Sequence, residues 1–473
     1  MQKIILIKRN SLFRPKGQKS ITLLRLGAAS GAVFLLASCQ TFDSRPLDLN
    51  AHDQTWRSQE PSSELVSAFA QRLAKKSSNS SAFNASDGVS LNEGKMIALV
   101  YNPDLRVARL KAGVAKATAD YAGLWDDPEL SLDVLSITKG VPDPWIVGSA
   151  LSLTVPLSGR LHAEKSRAKA AMYLELDRVA EAEWQVTIDL QKAWVAWSSQ
   201  RTELEQTKKI IGILDSIVKS TSLLAEQGEI PKTEAALFTI EQTSRRVEIA
   251  RLEGEVMANE QEIRALLGIS PTAPIQLVPN FSVPSWRASE DRLAYNNPTL
   301  NRLRSEYEVS ERTLLREIRK QYPDFTFGPQ AESDEGQSRI GFIGAIPLPI
   351  LNANKGGIAK ARAEREVARA EFETEYERKI GTFAALRARL SSIKTQRASM
   401  ENTLIPLVDR QASDARNLTN LGEGGSLVLL ESIVRAHDAK LKIIDLQLQL
   451  ARVESEIQFL LGPTNYKSNF KKN

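Results

Sequence analysis

One thiol, three imidazoles and the carboxylate pair Asp126-Asp127 are the groups in this 473-residue chain from which chemistry could be built. Asp126-Asp127 with Glu129 could supply a general acid and base. They flank Pro128 with no companion base, and a turn with its solvent face accounts for them. His52, His162 and His437 are scattered along the chain without the ligand spacing of a zinc site. Gly422-Glu423-Gly424-Gly425-Ser426 has the glycine density of a phosphate-cradling loop but lacks the Lys and the preceding strand of a P-loop, so a turn between helices fits it better. No nucleophile stands beside a base. The residues therefore predict no catalytic group, no metal site and no cofactor, and the chain reads as a non-enzyme.

The thiol has a different context. Residues 1–38 carry seven bases (Lys3, Lys8, Arg9, Arg14, Lys16, Lys19, Arg25) and no acid, followed by an apolar run at 26–37 that is too short to span a bilayer and of the length of a signal-peptide core. The run ends in Leu36-Ala37-Ser38-Cys39, which resembles the bacterial lipobox. That resemblance implies acylation of Cys39 and cleavage before it, and Gln40 in place of Asp implies passage to the outer membrane. An acylated end anchors a chain but does not span. Removing residues 1–38 also turns the formal charge of +5 into 55 bases against 57 acids, so the basic surplus expected of a nucleic-acid binder disappears.

The elements that position these groups come in two copies. Asn102-Pro103-Asp104-Leu105 recurs as Asn297-Pro298-Thr299-Leu300, Pro128 as Pro323, Val155-Pro156-Leu157 as Ile346-Pro347-Leu348, and Gly228-Glu229 as Gly422-Glu423. Glu262-Ile263 with Leu266-Leu267-Gly268 recurs as Glu456-Ile457 with Leu460-Leu461-Gly462, and Gly212 stands opposite Pro406. Each copy reads as helix, two strands and long helices. The first helix opens at Ser90, with Glu93 completing a capping box, and is predicted to run to about residue 124; its counterpart spans about 289–321. Period-two alternation predicts strands within about 129–157 and 324–349. The proline-free stretch 157–230 predicts a helix of about 100 Å at 1.5 Å per residue, with a bend expected at Gly212. Ile249, Val256 and Ile263, with Ile443, Leu450 and Ile457 in copy two, keep the seven-residue spacing of a coiled-coil seam.

Strands apolar on one face and polar or small on the other suit a wall between lipid and water. Four cannot close a barrel, and open edges in lipid would leave backbone groups unpaired at several kcal/mol each, so other chains must complete them. Trp125, Trp145 and Tyr322 near the strand ends fit either an aromatic girdle or core packing.

Together, the two copies, the Asn-Pro-x-Leu helix, the Pro-Leu strand end and the closing Leu-Leu-Gly resemble the TolC-type outer membrane efflux proteins over about residues 88–465. The stretch from Ala345 to Asn352, continuing through Lys355-Gly356-Gly357, is similar to the cobalt-zinc-cadmium efflux branch. The resemblance implies a mainly α fold in which three protomers build a 12-stranded β-barrel and a periplasmic helical tunnel. It implies an exit duct in the outer membrane, embedded in its lipid, that works passively with a periplasmic adaptor and an inner-membrane pump to export heavy-metal cations or drugs. The organisation expected is a signal peptide at 1–38, a lipidated linker with a short helix at 39–87, repeats at 88–268 and 289–465 joined by a connector at 269–288, and a tail at 466–473. The adaptor would meet the hairpin tips at Gly228, Glu229, Pro231, Gly422, Glu423, Gly424 and Gly425. Beyond the second tip Leu427 to Leu430 are apolar and only Glu431 is acidic, which suggests a partly hydrophobic gate at Val428 and Glu431; a solvated helix-face acid is the plain alternative for Glu431. The rival for the whole chain is a non-porous coiled-coil lipoprotein of the cell envelope, which has no reason to carry two matched strand pairs.

Overall fold

Ser90 caps the first helix of the repeat as its spacing predicts: its Oγ accepts from the Glu93 amide while the Glu93 carboxylate accepts from the Ser90 amide at 2.9 Å. The computed structural model in which this is seen describes residues 42–75, 83–85, 87–138, 140, 144–283, 290–334, 337–421 and 425–464. The signal peptide, Cys39, Gly422, Glu423, Gly424 and the tail 466–473 lie outside the described residues.

The chain forms two units. Residues 1–59 hold α1 (Leu49–Arg57), capped by Asp48 and braced by an Arg57–Asp53 pair. Residues 60–473 hold α2 (Glu64–Ala74) and everything that follows.

The predicted first helix is in fact two, α3 (Leu91–Tyr101) and α4 (Pro103–Asp120), and its counterpart divides into α7 (Glu290–Asn296) and α8 (Pro298–Arg319). Pro103 and Pro298 lack the N–H that would continue the helix, and each starts a new one instead. After α4 come β1 (Glu129–Ser136) and β2 (Trp145–Val155), then α5 (Arg160–Glu226) and α6 (Lys232–Leu267). After α8 come β3 (Phe325–Asp334) and β4 (Gln337–Ala345), then α9 (Lys355–Ser399), a π turn (Met400–Leu404), α10 (Ile405–Asn420) and α11 (Ser426–Leu461). The strands stop at Val155 and Ala345, short of the predicted limits, where Pro156 and Pro347 follow.

The helix breakers behave differently in the two copies. α5 continues through Gly212 as one helical span, because glycine keeps its N–H and costs only about 1 kcal/mol in a helix interior. Pro406 removes a donor, and the wide π turn just ahead of it takes up the misfit.

The four strands form one antiparallel sheet in the order β1-β2-β3-β4, leaving β1 and β4 as edges. Helices lie at one end of it, organised around α5, which packs against α4, α6, α8 and α11. The core of the first repeat gathers Ile97, Leu105, Trp194, Trp197, Ile263 and Leu267, with Ile269 and Leu277 of the connector. The second gathers Leu300, Phe383, Leu446, Ile457 and Leu461. Of the seven-residue rows, Ile263 and Ile457 are fully buried, whereas Ile249, Val256, Ile443 and Leu450 are half-buried.

Candidate functional site: a two-faced sheet on a helical stalk

Register assigns every strand residue to a face, since directly paired residues in an antiparallel sheet point the same way. Leu132 pairs with Ser149 and Val134 with Val147; Leu153 pairs with Phe327, and Pro329 with Phe342. One face therefore carries Leu130, Leu132, Val134, Val147, Leu151, Leu153, Phe325, Phe327, Ile340 and Phe342. The opposite face carries Glu129, Ser131, Asp133, Ser152, Thr154, Thr326, Gln330, Glu332, Asp334 and Arg339, with Leu135, Ile146 and Ile343 as apolar exceptions, as Ser149 and Ser333 are polar exceptions on the first. The apolar face is uncovered: Ile340 is 86% and Phe342 82% exposed. The polar face is cross-linked, with Thr154 and Thr326 hydroxyls 2.9 Å apart and Arg339 paired with Asp334 at 2.9 Å.

Two local features shape this sheet. Pro329 offers no N–H to β2, and the β2–β3 ladder skips Leu151 and Ser152 opposite it. Gly328 must be glycine, because a Cβ there would sit 2.8 Å from the Leu151 carbonyl carbon. Trp125, Trp145 and Tyr322 are each 56% exposed at the strand ends, so none is packed into the protomer's core. β2 spans 11 residues, about 36 Å at 3.3 Å per residue; tilted by about 40° it would rise about 28 Å, close to the ~25 Å apolar band of a membrane barrel.

At the base of the sheet a single guanidinium gathers both hairpin entries. Arg160, at the start of α5, pairs with Asp126 ahead of β1 at 2.5 Å and with Asp324 ahead of β3, while Ser158 Oγ donates to Asp324 at 2.8 Å. The carboxylate read from the sequence as part of a turn is thus one arm of a bridge between the two repeats. Nothing in local spacing announces Arg160. The corresponding joint in copy two is built on Glu317, whose carboxylate accepts from Arg316, Lys320 and Asn354 at 2.8–2.9 Å. Burial opposes its ionisation, yet those hydrogen bonds hold Glu317 down to about 2.

At the opposite end of the motif series, Asn-Pro-x-Leu docks onto Leu-Leu-Gly. Asn102 Oδ1 accepts from the amides of Asp104 and Leu105, and its Nδ2 donates to the Leu266 carbonyl at 2.9 Å. Asn297 does the same for the Leu300 amide and the Leu460 carbonyl, at 3.0 and 2.8 Å. Gly268 ends α6 in the left-handed region at φ +76°, where a Cβ would lie 2.5 Å from the Tyr101 carbonyl carbon; Gly462 stands likewise against Asn296 at 2.6 Å. This clasp explains why the two motifs recur together, although they lie more than 160 residues apart.

The first hairpin end is a Schellman turn: Gly228 (φ +79°) donates to the Ala225 carbonyl at 3.3 Å and Glu229 to that of Leu224 at 2.9 Å, before Pro231 caps α6. Of the second, Gly425 is described as the N-cap of α11. Val428 and Glu431 share one exposed stripe of α11, and Glu431 is paired there with Arg435 at 2.6 Å. The hairpins are tied by Arg245 of α6, which reaches Asp438 of α11 at 3.1 Å. Among the described residues no group of three or more His, Cys, Asp or Glu is placed to hold a metal ion. No described helix is long and apolar enough to cross a membrane.

Residues 96–269, from within α3 to the connector, match the family model of the outer membrane efflux protein. That match takes in most of the first repeat, so this part of the chain is similar to the outer membrane efflux proteins. The chain is 22% identical over 266 residues to the cobalt-zinc-cadmium resistance protein CzcC of Cupriavidus metallidurans, covering 54% of this chain and 64% of the relative, so the match spans under two thirds of that protein's length. Its fold is that of solved outer-membrane proteins. The outer membrane protein VceC of Vibrio cholerae superposes with a TM-score of 0.68 at 16% identity over 79% of this chain and 96% of that one. The outer-membrane channel OprN superposes with a TM-score of 0.69 at 14% identity over 90% and 98%.

Proposed function

We propose that the chain is one third of an outer-membrane exit duct: three copies close a 12-stranded barrel through the membrane and continue it as a helical tunnel. The observation that carries this is the two-faced sheet. Its apolar face cannot stay in water, and its two unpaired edges cannot stay in lipid, so the sheet is stable in a membrane only when other copies extend it. The polar face then lines a water-filled path.

The helices support the same closure. α8 of copy two lies between α5 and α9. Its counterpart α4 packs on α5 alone among the long helices and leaves Val107, Leu110, Val114 and Tyr121 exposed on the side where, by the repeat, a second copy's α9 belongs. An envelope scaffold, the rival reading, would need neither this stripe nor the sheet.

In this duct Cys39 carries the lipid anchor, and Gly228, Glu229 and Pro231, with the turn 422–425, present the ends that meet a periplasmic adaptor and its pump. Val428 and Glu431 form the gate, with Arg435 offsetting the Glu431 charge, so the constriction acts more by its apolar ring than by an acidic one. The name of the curated relative favours cobalt, zinc or cadmium as cargo over drugs, and such ions would pass through without a resident site.

Single-channel recording of the purified protein in planar bilayers tests the proposal. Discrete conductance from a trimeric sample is expected, larger when Leu427 and Val428 are replaced by Ser to loosen the constriction. A silent, monomeric sample in both forms would favour the scaffold.

A further inference from the structure

The two repeats differ where strand passes into helix. Copy one crosses from Val155 to Arg160 through four residues, whereas copy two takes nine, 346–354, between Ala345 and Lys355. Its first six residues are apolar and three of them are bare: Leu348, the counterpart of Leu157, is 73% exposed, Ile350 81% and Leu351 90%.

This loop is not a slack connection. Its far foot is pinned by Asn354, whose Nδ2 donates to both the backbone carbonyl and the carboxylate of Glu317 at 2.9 Å. Ala353 (φ +45°) and Asn354 (φ +53°) both hold left-handed backbone without being glycine, a conformation that persists only where the surroundings impose it. Gly357 makes room for this foot, since a Cβ there would lie 2.5 Å from Asn354 Oδ1 and 2.9 Å from Glu317 Oε2. At the crest, Pro347 and Pro349 restrict the backbone and the Ile350 amide donates to the Leu348 carbonyl at 2.9 Å. A braced, conformationally costly loop therefore holds three large apolar side chains outward.

Its surroundings indicate what covers them. The loop continues directly from β4, whose Ile340 and Phe342 belong to the apolar face. An open cleft of about 390 Å³ beneath it brings Lys320, itself paired with Glu317, beside Leu348, Leu351 and Asn354, and exposed Lys355 follows at the start of α9. Apolar side chains level with a membrane boundary and flanked by ammonium groups match a phospholipid surface, with acyl carbon against the leucines and phosphate against the lysines.

We infer that residues 346–351 form an interfacial anchor that seats the sheet-to-helix junction in the phospholipid leaflet at the base of the barrel. The inference rests on the sheet being a membrane wall, and the experiment separates the two.

A solvatochromic thiol label is placed at Leu351→Cys and, separately, at Phe342→Cys on the apolar face of β4. The parent, with Cys39 as its one thiol, serves as the labelling blank. The full-length proteins are reconstituted into phosphatidylglycerol vesicles with and without phosphatidylcholine brominated near the glycerol end of its acyl chains. The label at Leu351 is expected to emit to the blue and to lose emission by about twofold or more in brominated vesicles, as an interfacial side chain should. Quenching at Phe342 with none at Leu351 would overturn the anchor and leave the wall intact, and would include a neighbouring copy covering the loop. Quenching at neither position would overturn both. Ile350→Cys repeats the measurement should Leu351→Cys fail to fold.

Discussion

Gly268 and Gly228 occupy the same backbone conformation, φ +76° and +79°, in different surroundings, so one substitution at the two sites measures the clasp. At Gly228 an added Cβ meets nothing within 4 Å, and Gly228→Ala should cost only the left-handed penalty of an L-residue, about 1–2 kcal/mol. At Gly268 the same methyl would sit 2.5 Å from the Tyr101 carbonyl carbon and 2.9 Å from the Asn102 amide nitrogen, so backbone must move. Overpacking of that kind adds about 1–3 kcal/mol. It also pulls Asn102 away from the Leu266 carbonyl, the bond that joins α3–α4 to the end of α6. The expected excess for Gly268→Ala over Gly228→Ala is therefore about 1–3 kcal/mol, or roughly 1–4 °C for a unit of this size in the midpoint of heat-induced helix loss followed by circular dichroism in detergent. Gly462→Ala should cost at least as much as Gly268→Ala, because its Cβ would lie 2.6 Å from the Asn296 carbonyl carbon and its backbone, φ +68° and ψ 179°, is one that essentially only glycine adopts. Midpoints for Gly268→Ala and Gly228→Ala that agree within a degree would refute the clasp as a steric constraint.

Replacing Leu110 and Val114 by Asp on the open side of α4 should leave the protomer folded and abolish the trimer; a double variant that still migrates as a trimer on size exclusion would remove α4 from the proposed seam. Burial pushes the His437 imidazole from 6.5 to about 4, with Arg245 and Lys440 adding to the effect and Asp438 opposing it, and its buried Nε2 has no hydrogen-bond partner among the described residues. The unfolded chain takes up that proton first, so this contribution to stability is whole above pH 6.5 and is lost as pH falls towards 4; the thermal midpoint of His437→Leu should fall less than that of the parent over the same window. Cys39→Ala should eliminate fatty-acid labelling in cells, and labelling that persists would refute acylation at that residue.

The polar networks show how far a linear reading reaches. Asn102 and Asn297 are legible as helix caps, since an Asn before Pro at a helix start has a short-range purpose. Their second bond, to carbonyls of Leu266 and Leu460, is invisible from spacing because the partners meet only after a hairpin of two long helices returns. The same holds for Lys95, which burial pushes down to about 8 and which donates to Gln191 at 2.7 Å, while Gln191 reaches Ser455 of the other repeat at 2.7 Å. No local pattern marks any of the three.

Periodicity is a property of neighbours, and so the duplication, the alternating strands, the coiled-coil rows and the apolar face of the sheet can all be read along the chain. The meeting of the repeats at Arg160, the braced loop at 346–354 and the uninterrupted passage of α5 through Gly212 depend instead on groups brought together from distant positions. A proline forces its break wherever it occurs because it has no N–H to give. A glycine, an arginine or an exposed leucine has several uses, and only the packing around it selects one.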